Sequence, residues 1–263
     1  VVAAALLAWV FLPMIGLLAE LGLRCRRRLL LATSVVAVAT AMTAAALPPY
    51  SATSPQRVNL EYLLDADRGV AEWLISPDSG QLPAALASAV VPSRRSAAAL
   101  PWFRGPVWRA DAPLVDLAGP QLQLVGATAE GAAVRYRIHL RSRRGAHSIS
   151  LCWPSTLGLT EIEVAGQRLS EPDSETLQIM RRRHGEWRCV SDHTLPAEGL
   201  ALSFRSPSPA AFELLLTDRS SGIPASGRAL LDARRSDMAA PSQDGDVTRL
   251  LRRCPVSPER ILR

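Results

Sequence analysis

The 263-residue chain contains no lysine, so all 30 of its basic residues are arginine, against 24 acidic residues. The net charge of +6 is modest, and the arginines are scattered along the chain. This excludes nucleic acid as the expected partner, because binding to phosphates requires a concentrated basic face. There are only four cysteines. No two of them have the spacing of a zinc site, so we expect no cysteine-bound metal.

Motifs that carry catalysis are also missing. The sequence has four histidines: His139, His147, His184 and His193. They do not stand in the spacings of the common zinc hydrolases. Ser155 lacks the flanking glycines of a nucleophile elbow, and there is no glycine-rich phosphate loop. An independent hydrolase would require some of four residues to converge in a pocket: Asp65, Asp67, Asp192 and His193. We therefore assign no catalytic, cofactor-binding or metal-binding residue to this chain.

Two long apolar stretches, residues 1–23 and 29–47, are separated by a turn with four arginines. Each is close to the roughly 20 residues that a helix needs to cross a bilayer. We predict a transmembrane helical hairpin over residues 1–48, with the lipid bilayer as a partner. A signal peptide and a buried helical pair are the alternatives. By the positive-inside rule the turn is cytoplasmic, so the protein is predicted to lie in a bacterial inner membrane with its remaining residues in the periplasm.

Alternation of apolar and polar side chains predicts that residues 49–230 form a mainly β, sandwich-like extracytoplasmic domain, with a short helix over residues 79–88. In the clearest strand, 134–140, the alternation puts Arg135, Arg137 and His139 on one face. The other predicted strands cover residues 57–64, 70–75, 121–125, 148–153, 160–164, 176–180, 186–190, 200–204 and 212–217. Residues 92–120 are predicted to form a long loop. Residues 231–263 are predicted to form a polar C-terminal tail with a short helix over residues 246–253.

For three features, the sequence leaves two interpretations open. Cys152 and Cys189 fall in predicted strands, where they either form a disulfide or pack as small buried hydrophobic residues. The basic run 181–184 is either a solvated hairpin tip or a contact with anionic headgroups. Trp102 and Trp108 either pack in the core or anchor a loop at a membrane interface.

Two segments carry a resemblance to a known family. Residues 48–60 read PPYSATSPQRVNL and are followed by an aspartate-rich hairpin and Trp73, and residues 241–248 read PSQDGDVT. Together they resemble the C-terminal region of bacterial membrane-bound zinc exopeptidases of the aminopeptidase Y type, peptidase family twenty-eight. These enzymes are relatives of the endoplasmic reticulum metallopeptidase and the vacuolar membrane protease.

The resemblance implies that this chain is one part of a longer zinc metalloexopeptidase whose domains have separate roles. A sequence that begins with Val1 and not with methionine fits this expectation. A separate N-terminal domain would carry two zinc ions and the aminopeptidase reaction. This chain would supply the membrane anchor and a non-catalytic accessory β domain, with the catalytic domain as its partner. No residue here matches a metal ligand of the family. The alternative is a membrane-tethered binding or structural β module unrelated to proteolysis.

Overall fold

The computed structural model describes residues 23–46, 49–90, 94–96, 107–170, 187–240 and 245–257. The chain divides into two compact units, Val1–Tyr50 and Ser51–Arg263. The described element of the first unit is helix α1, Leu23–Ala46. The described residues of the second unit form two β-sheets and two short helices, α2 (Ala84–Ala89) and α3 (Arg228–Asp232). The prediction of a mainly β domain is therefore confirmed.

Helix α1 does not have the combination of length and apolar composition predicted for a membrane span. Among the described residues, no helix is both long enough and apolar enough to cross a bilayer. The transmembrane hairpin predicted over residues 1–48 is therefore wrong, and the inner-membrane and periplasmic location that rested on it is not supported. The first predicted span, residues 1–23, lies outside the described residues except for Leu23.

The composition of α1 gives the physical reason for this correction. The helix begins with an arginine-rich turn, and much of its apolar content is alanine, which contributes little hydrophobic surface. Hydroxyl side chains interrupt the rest. Thr33 and Thr43 donate hydrogen bonds to the carbonyl oxygens of Leu30 and Ala39, at 3.0 and 2.8 Å. Such backbone bonding lets a helix accommodate hydroxyl groups, but it does not make them apolar.

The larger sheet has nine strands within the described residues. Eight of them follow one another in this spatial order: β10 (Trp187–Asp192), β7 (Ser148–Pro154), β12 (Phe212–Ser221), β14 (Val247–Val256), β1 (Gln56–Asp65), β2 (Val70–Pro77), β4 (Val107–Asp111) and β3 (Arg94–Ser96). The ninth, β13 (Met238–Ala239), pairs with the start of β1. Strand β1 runs parallel to β14 and antiparallel to β2. The predicted hairpin of β1 and β2 is present, with Gly69 at a φ of +63° in its turn.

The smaller sheet has five strands and is antiparallel throughout. Its spatial order is β5 (Gln121–Glu130), β6 (Ala133–Arg141), β11 (Leu200–Ser206), β8 (Thr160–Val164) and β9 (Gln167–Arg168). Strand β6 alternates as the sequence predicts: Tyr136, Ile138 and Leu140 are buried, whereas Arg137 and Arg141 are exposed. One face of this sheet is therefore core and the other faces solvent.

Three apolar clusters of the described residues hold the β unit together, and two of them are large. The first joins the sheets, because it combines Tyr136 and Phe204 of the smaller sheet with Leu151, Leu214 and Leu216 of the larger one. The second lies between the other half of the larger sheet and the short helices, and it contains Leu60, Tyr62, Trp73, Leu86 and Leu230. Each fully buried side chain of this size contributes about 1.5–3 kcal/mol. This arrangement of two packed sheets fits the sandwich-like architecture that was predicted.

The C-terminal segment differs from its prediction. Residues 246–253 were expected to form a short helix, but Val247–Val256 is strand β14, which lies between β12 and β1 in the larger sheet. The predicted polar tail over residues 231–263 therefore contains a central strand. The local pattern is ambiguous because short apolar runs fit either element. Pairing with two strands distant in sequence decides the outcome.

Other boundaries show the same influence of long-range pairing. The loop predicted over residues 92–120 contains strands β3 and β4. The helix predicted over residues 79–88 is shorter and begins at Ala84. The predicted strand 176–180 lies outside the described residues. Each of the other predicted strands overlaps an observed strand.

Candidate functional site

The described histidines do not form a metal centre. His139 lies on the outer face of β6, His147 precedes β7, and His193 follows β10. Within the described part of the chain, no group of three or more histidine, cysteine, aspartate or glutamate side chains is arranged to hold a metal ion. His184 and the basic run 181–184 lie outside the described residues, as does Trp102. Trp108 packs against the second core, and its Nε1 donates to the carbonyl oxygen of Gly80 at 3.3 Å.

The residues that an independent hydrolase would need do not converge. Asp65 ends β1, whereas Asp192 ends β10, and three strands of the sheet lie between them. Four strand spacings place them roughly 19 Å apart. Asp65 instead accepts two hydrogen bonds of 2.9 Å from Nη1 of Arg253. Asp192 accepts a hydrogen bond of 2.7 Å from the backbone N–H of Thr194, which makes it a turn residue.

His193 has a neighbour that the sequence did not indicate. Its Nδ1 lies 3.4 Å from Oγ of Ser148 and 3.5 Å from Nη2 of Arg219. A serine and histidine pair acts as a nucleophile and base only when a third group stabilises the imidazolium. Here the third group is a guanidinium, which only donates hydrogen bonds and so cannot accept the imidazole N–H as the carboxylate of a triad does. The contact therefore does not form a catalytic triad.

Several acids of the β unit are held by arginines. Five pairs share this arrangement: Glu61–Arg249, Asp65–Arg253, Glu72–Arg109, Asp218–Arg144 and Asp246–Arg234. In the pair of Glu61 and Arg249, the side-chain exposures are 4% and 8%, and the two side chains lie 2.7 Å apart. A carboxylate held in this way has its charge balanced by a neighbouring guanidinium.

Asp218 shows how these pairs tie the sheets together. Its side chain is fully buried and accepts hydrogen bonds from Oγ of Ser142 at 2.6 Å and from Nη2 of Arg144 at 2.9 Å. The Arg144 guanidinium also donates to the carbonyl oxygen of Thr248 at 3.0 Å. The turn after β6 is thereby linked to both β12 and β14. This network positions the two sheets, and both carboxylate oxygens of Asp218 accept hydrogen bonds within it.

A cleft of about 480 Å³ lies beside the second core. Its lining includes Trp73, Val90, Asp111, Ser226 and Leu230. This volume falls within the range of small-molecule sites, and the lining combines apolar side chains with two polar residues, Asp111 and Ser226. Asp111 is the last residue of β4 and is exposed. No local sequence pattern indicates this cleft, because its lining residues come from four separate segments.

The cysteines have distinct states. Cys152 of β7 and Cys189 of β10 face each other across the strands and form a disulfide. This decides the question that the sequence left open. Cys254 of β14 is a free thiol and is half-buried, and its burial raises its pKa to about 11. A thiol with so high a pKa is a poor nucleophile near neutral pH.

We expect Cys254 to react slowly with iodoacetamide, tested in a Cys25→Ser background. At pH 8 its thiolate fraction is about 0.1%, against about 24% for an unperturbed cysteine, so alkylation should be about two hundredfold slower. The rate should rise about tenfold per pH unit and level off only near pH 11, because the raised pKa delays deprotonation. Mass spectrometry measures the rate, and urea-unfolded protein is the control. A folded rate within threefold of the unfolded rate would contradict the burial of this thiol.

Comparisons with known proteins identify no relative. No family model matches the chain, and no curated protein matches it. The resemblance to zinc exopeptidases therefore stays a prediction.

Proposed function

We propose that the β unit is a non-catalytic accessory domain that acts by contact with a catalytic domain, which the sequence resemblance suggests is a zinc exopeptidase. The observation that carries the non-catalytic part is the pairing of acids with arginines. Glu61, Asp65, Asp218 and Asp246 all bind guanidinium groups at 2.7–2.9 Å. Acids in this state serve the fold, because removing either partner of a buried pair leaves an uncompensated charge.

The chemistry of aminopeptidase-type hydrolysis supports this division. Such a reaction uses metal ions to polarise the scissile carbonyl and to generate a nucleophilic hydroxide. His193 has Ser148 and Arg219 beside it instead of carboxylates. The cleft beside Trp73 has one acid, Asp111, in its lining. We therefore place metal binding and bond cleavage in the partner domain.

The cleft offers a second candidate function, a binding module that has no connection with proteolysis. Val90 and Pro113 provide an apolar surface, and Asp111 and Ser226 provide polar groups at the same cleft. This combination suits a ligand or a partner loop with an apolar body and a hydrogen-bond donor. A β-sandwich scaffold serves either function, because a fold alone does not determine an activity.

The first test uses the purified chain with added zinc. We expect it to hydrolyse no aminoacyl p-nitroanilide and to retain no stoichiometric zinc after gel filtration, measured by absorbance and by elemental analysis. An Asp192→Asn, His193→Gln double variant is the control for contaminating peptidase. The wild-type chain and this double variant should give the same background. Hydrolysis by the wild-type chain that this variant abolishes would overturn the non-catalytic part of the proposal.

The second test addresses the peptidase partner. The reading frame upstream of Val1 should encode a histidine- and acid-rich domain. That domain is produced with and without residues 51–263. The two forms should differ in melting temperature, or in kcat or KM for a peptide substrate. If the upstream frame encodes no such domain, the exopeptidase assignment fails and the binding module becomes the better explanation.

A further inference from the structure

The solvent-facing side of the five-stranded sheet has two electrostatically different halves. Strand β6 places Arg135, Arg137, His139 and Arg141 on this side, because its buried residues alternate with them. Successive members of this set are two residues apart, which in a strand is about 6.7 Å. We call the last three, Arg137, His139 and Arg141, the cationic row.

The half around Arg135 is neutralised. Arg135 donates to Glu130 at 2.7 Å and also bonds Glu161. Arg205 lies 3.2 Å from Glu130, and Arg168 lies 3.7 Å from Glu161. The hydrogen bond from Arg135 lowers the pKa of Glu161, which keeps that carboxyl charged. The backbone of Glu161 has a φ of +49°, which is unusual for a residue with a side chain. The ion pairs hold this residue in place.

The cationic row has no such neutralisation. Its cross-strand neighbours are small or uncharged: Gly126 and Ser203 beside Arg137, Gln123 and Ala201 beside His139, and Gln121 beside Arg141. Within the described residues, neither Arg137 nor Arg141 lies in an ion pair, and both are exposed. The acid that lies in register with Arg137 is Glu163, two strands away, and it accepts a hydrogen bond of 3.0 Å from Ser203. The row therefore presents the guanidinium charges of Arg137 and Arg141 without a paired acid among the described residues, with the imidazole of His139 between them.

We infer that the cationic row binds an extended acidic peptide segment of a partner protein. An extended chain with acids at alternate positions repeats its carboxylates every 6.7 Å or so, which matches the spacing of the row. Arginine is suited to this role because its guanidinium binds a carboxylate through two parallel hydrogen bonds. The uncharged glutamine and serine neighbours add hydrogen-bonding groups and no repulsion.

A peptide fits this surface better than single-stranded nucleic acid. Binding of single strands combines phosphate contacts with stacking of bases on aromatic side chains. The described neighbours of the row on β5 and β11 are glycine, alanine, serine and glutamine, which offer no ring for stacking. The inference rests on the geometry of the row alone, and it holds whether or not the partner is a peptidase.

The test measures binding of fluorescein-labelled peptides to the full chain by anisotropy at low salt. The first peptide alternates glutamate with serine over ten residues. A second has the same composition with its glutamates consecutive, a third replaces glutamate by glutamine, and an oligothymidylate of equal charge is the nucleic-acid probe. We expect the alternating peptide to bind at least about fivefold more tightly than each of the others, since spacing and charge both match only there.

Variants assign the binding to the row. The Arg137→Gln, Arg141→Gln double variant should bind the alternating peptide at least about tenfold more weakly, because it loses two charge-assisted contacts. The control, Arg57→Gln with Arg188→Gln, removes the same charge from the larger sheet and should change affinity less than about twofold. Circular dichroism and melting temperature show that each variant is folded.

Three results would overturn the inference. The first is no binding of the alternating peptide to the wild-type chain. The second is equal binding of the alternating and consecutive peptides, or equal losses in the two double variants, because either shows only a general attraction to positive charge. The third is tighter binding of the oligothymidylate, which would assign the surface to nucleic acid.

Discussion

Replacement of both Cys152 and Cys189 by alanine should lower the free energy of unfolding by about 4 kcal/mol. The disulfide joins β7 to β10, the edge strand of the larger sheet, across a sequence separation of 37 residues. Its loss restores to the unfolded chain the conformational freedom of a loop of that size. Within the part of the chain that the structure describes, β10 pairs with one strand, so it depends strongly on the covalent link.

Urea denaturation of the oxidised protein, followed by circular dichroism, measures this effect. The control is Cys254→Ala, which removes a half-buried thiol and keeps the disulfide. We expect that control to lose less than about 1 kcal/mol. Reductant should destabilise the wild-type protein by nearly the same amount as the double substitution, and should not affect the double variant. A double variant as stable as Cys254→Ala would show that the disulfide does not stabilise the fold.

An Arg249→Met substitution should lower the free energy of unfolding by about 3–5 kcal/mol. The guanidinium of Arg249 donates to the carboxylate of Glu61 at 2.7 Å, and both side chains are buried. Methionine fills a similar volume but leaves the Glu61 charge in a poorly solvated position without its cation. The cost comes mainly from that unpaired charge and not from the lost attraction.

The double variant Glu61→Leu, Arg249→Met distinguishes these two sources. It removes both charges, so we expect it to recover most of the lost stability. The matched control is Arg228→Met, which breaks the exposed pair with Asp232, where the side-chain exposures are 78% and 61%. That change should cost less than about 1 kcal/mol. If Arg249→Met is no more destabilising than Arg228→Met, the pair is not buried in solution.

The strands were the most predictable part of the fold. In β6 the apolar residues recur at every second position, and Tyr136, Ile138 and Leu140 are all in the core. This pattern needs no distant partner, because alternation of side chains is a property of the strand itself. The same holds for the hairpin of β1 and β2, whose turn is marked by aspartates and Gly69.

Elements whose local pattern is ambiguous were predicted less well. Strand β14 is flanked by β12 and β1, whose partner residues lie far away in sequence, and this pairing converted an expected helix into a central strand. Helix α1 was correctly expected to be helical. Its sequence, which contains many alanine, arginine and hydroxyl residues, was wrongly interpreted as a membrane span. A long low-polarity run indicates a helix more reliably than it indicates the surroundings of that helix.

The candidate surfaces divide in the same way. The outward position of Arg137 and His139 follows from sequence alternation alone. That their neighbours carry no acid, whereas Glu130 and Glu161 surround Arg135, depends on the register of β5, β11 and β8. The cleft beside Trp73 could not be predicted, since Asp111, Ser226 and Leu230 meet only in three dimensions.

The sequence by itself determined that this chain builds a mainly β unit, which residues of each strand face the core, and that the common catalytic motifs are missing from it. These properties depend on composition and on a period of two residues. The tertiary structure decided the pairing of Cys152 with Cys189, the partners of the buried acids, and the central place of β14. Each of these depends on strand register between segments distant in sequence, where a shift of one residue would move every side chain to the opposite face.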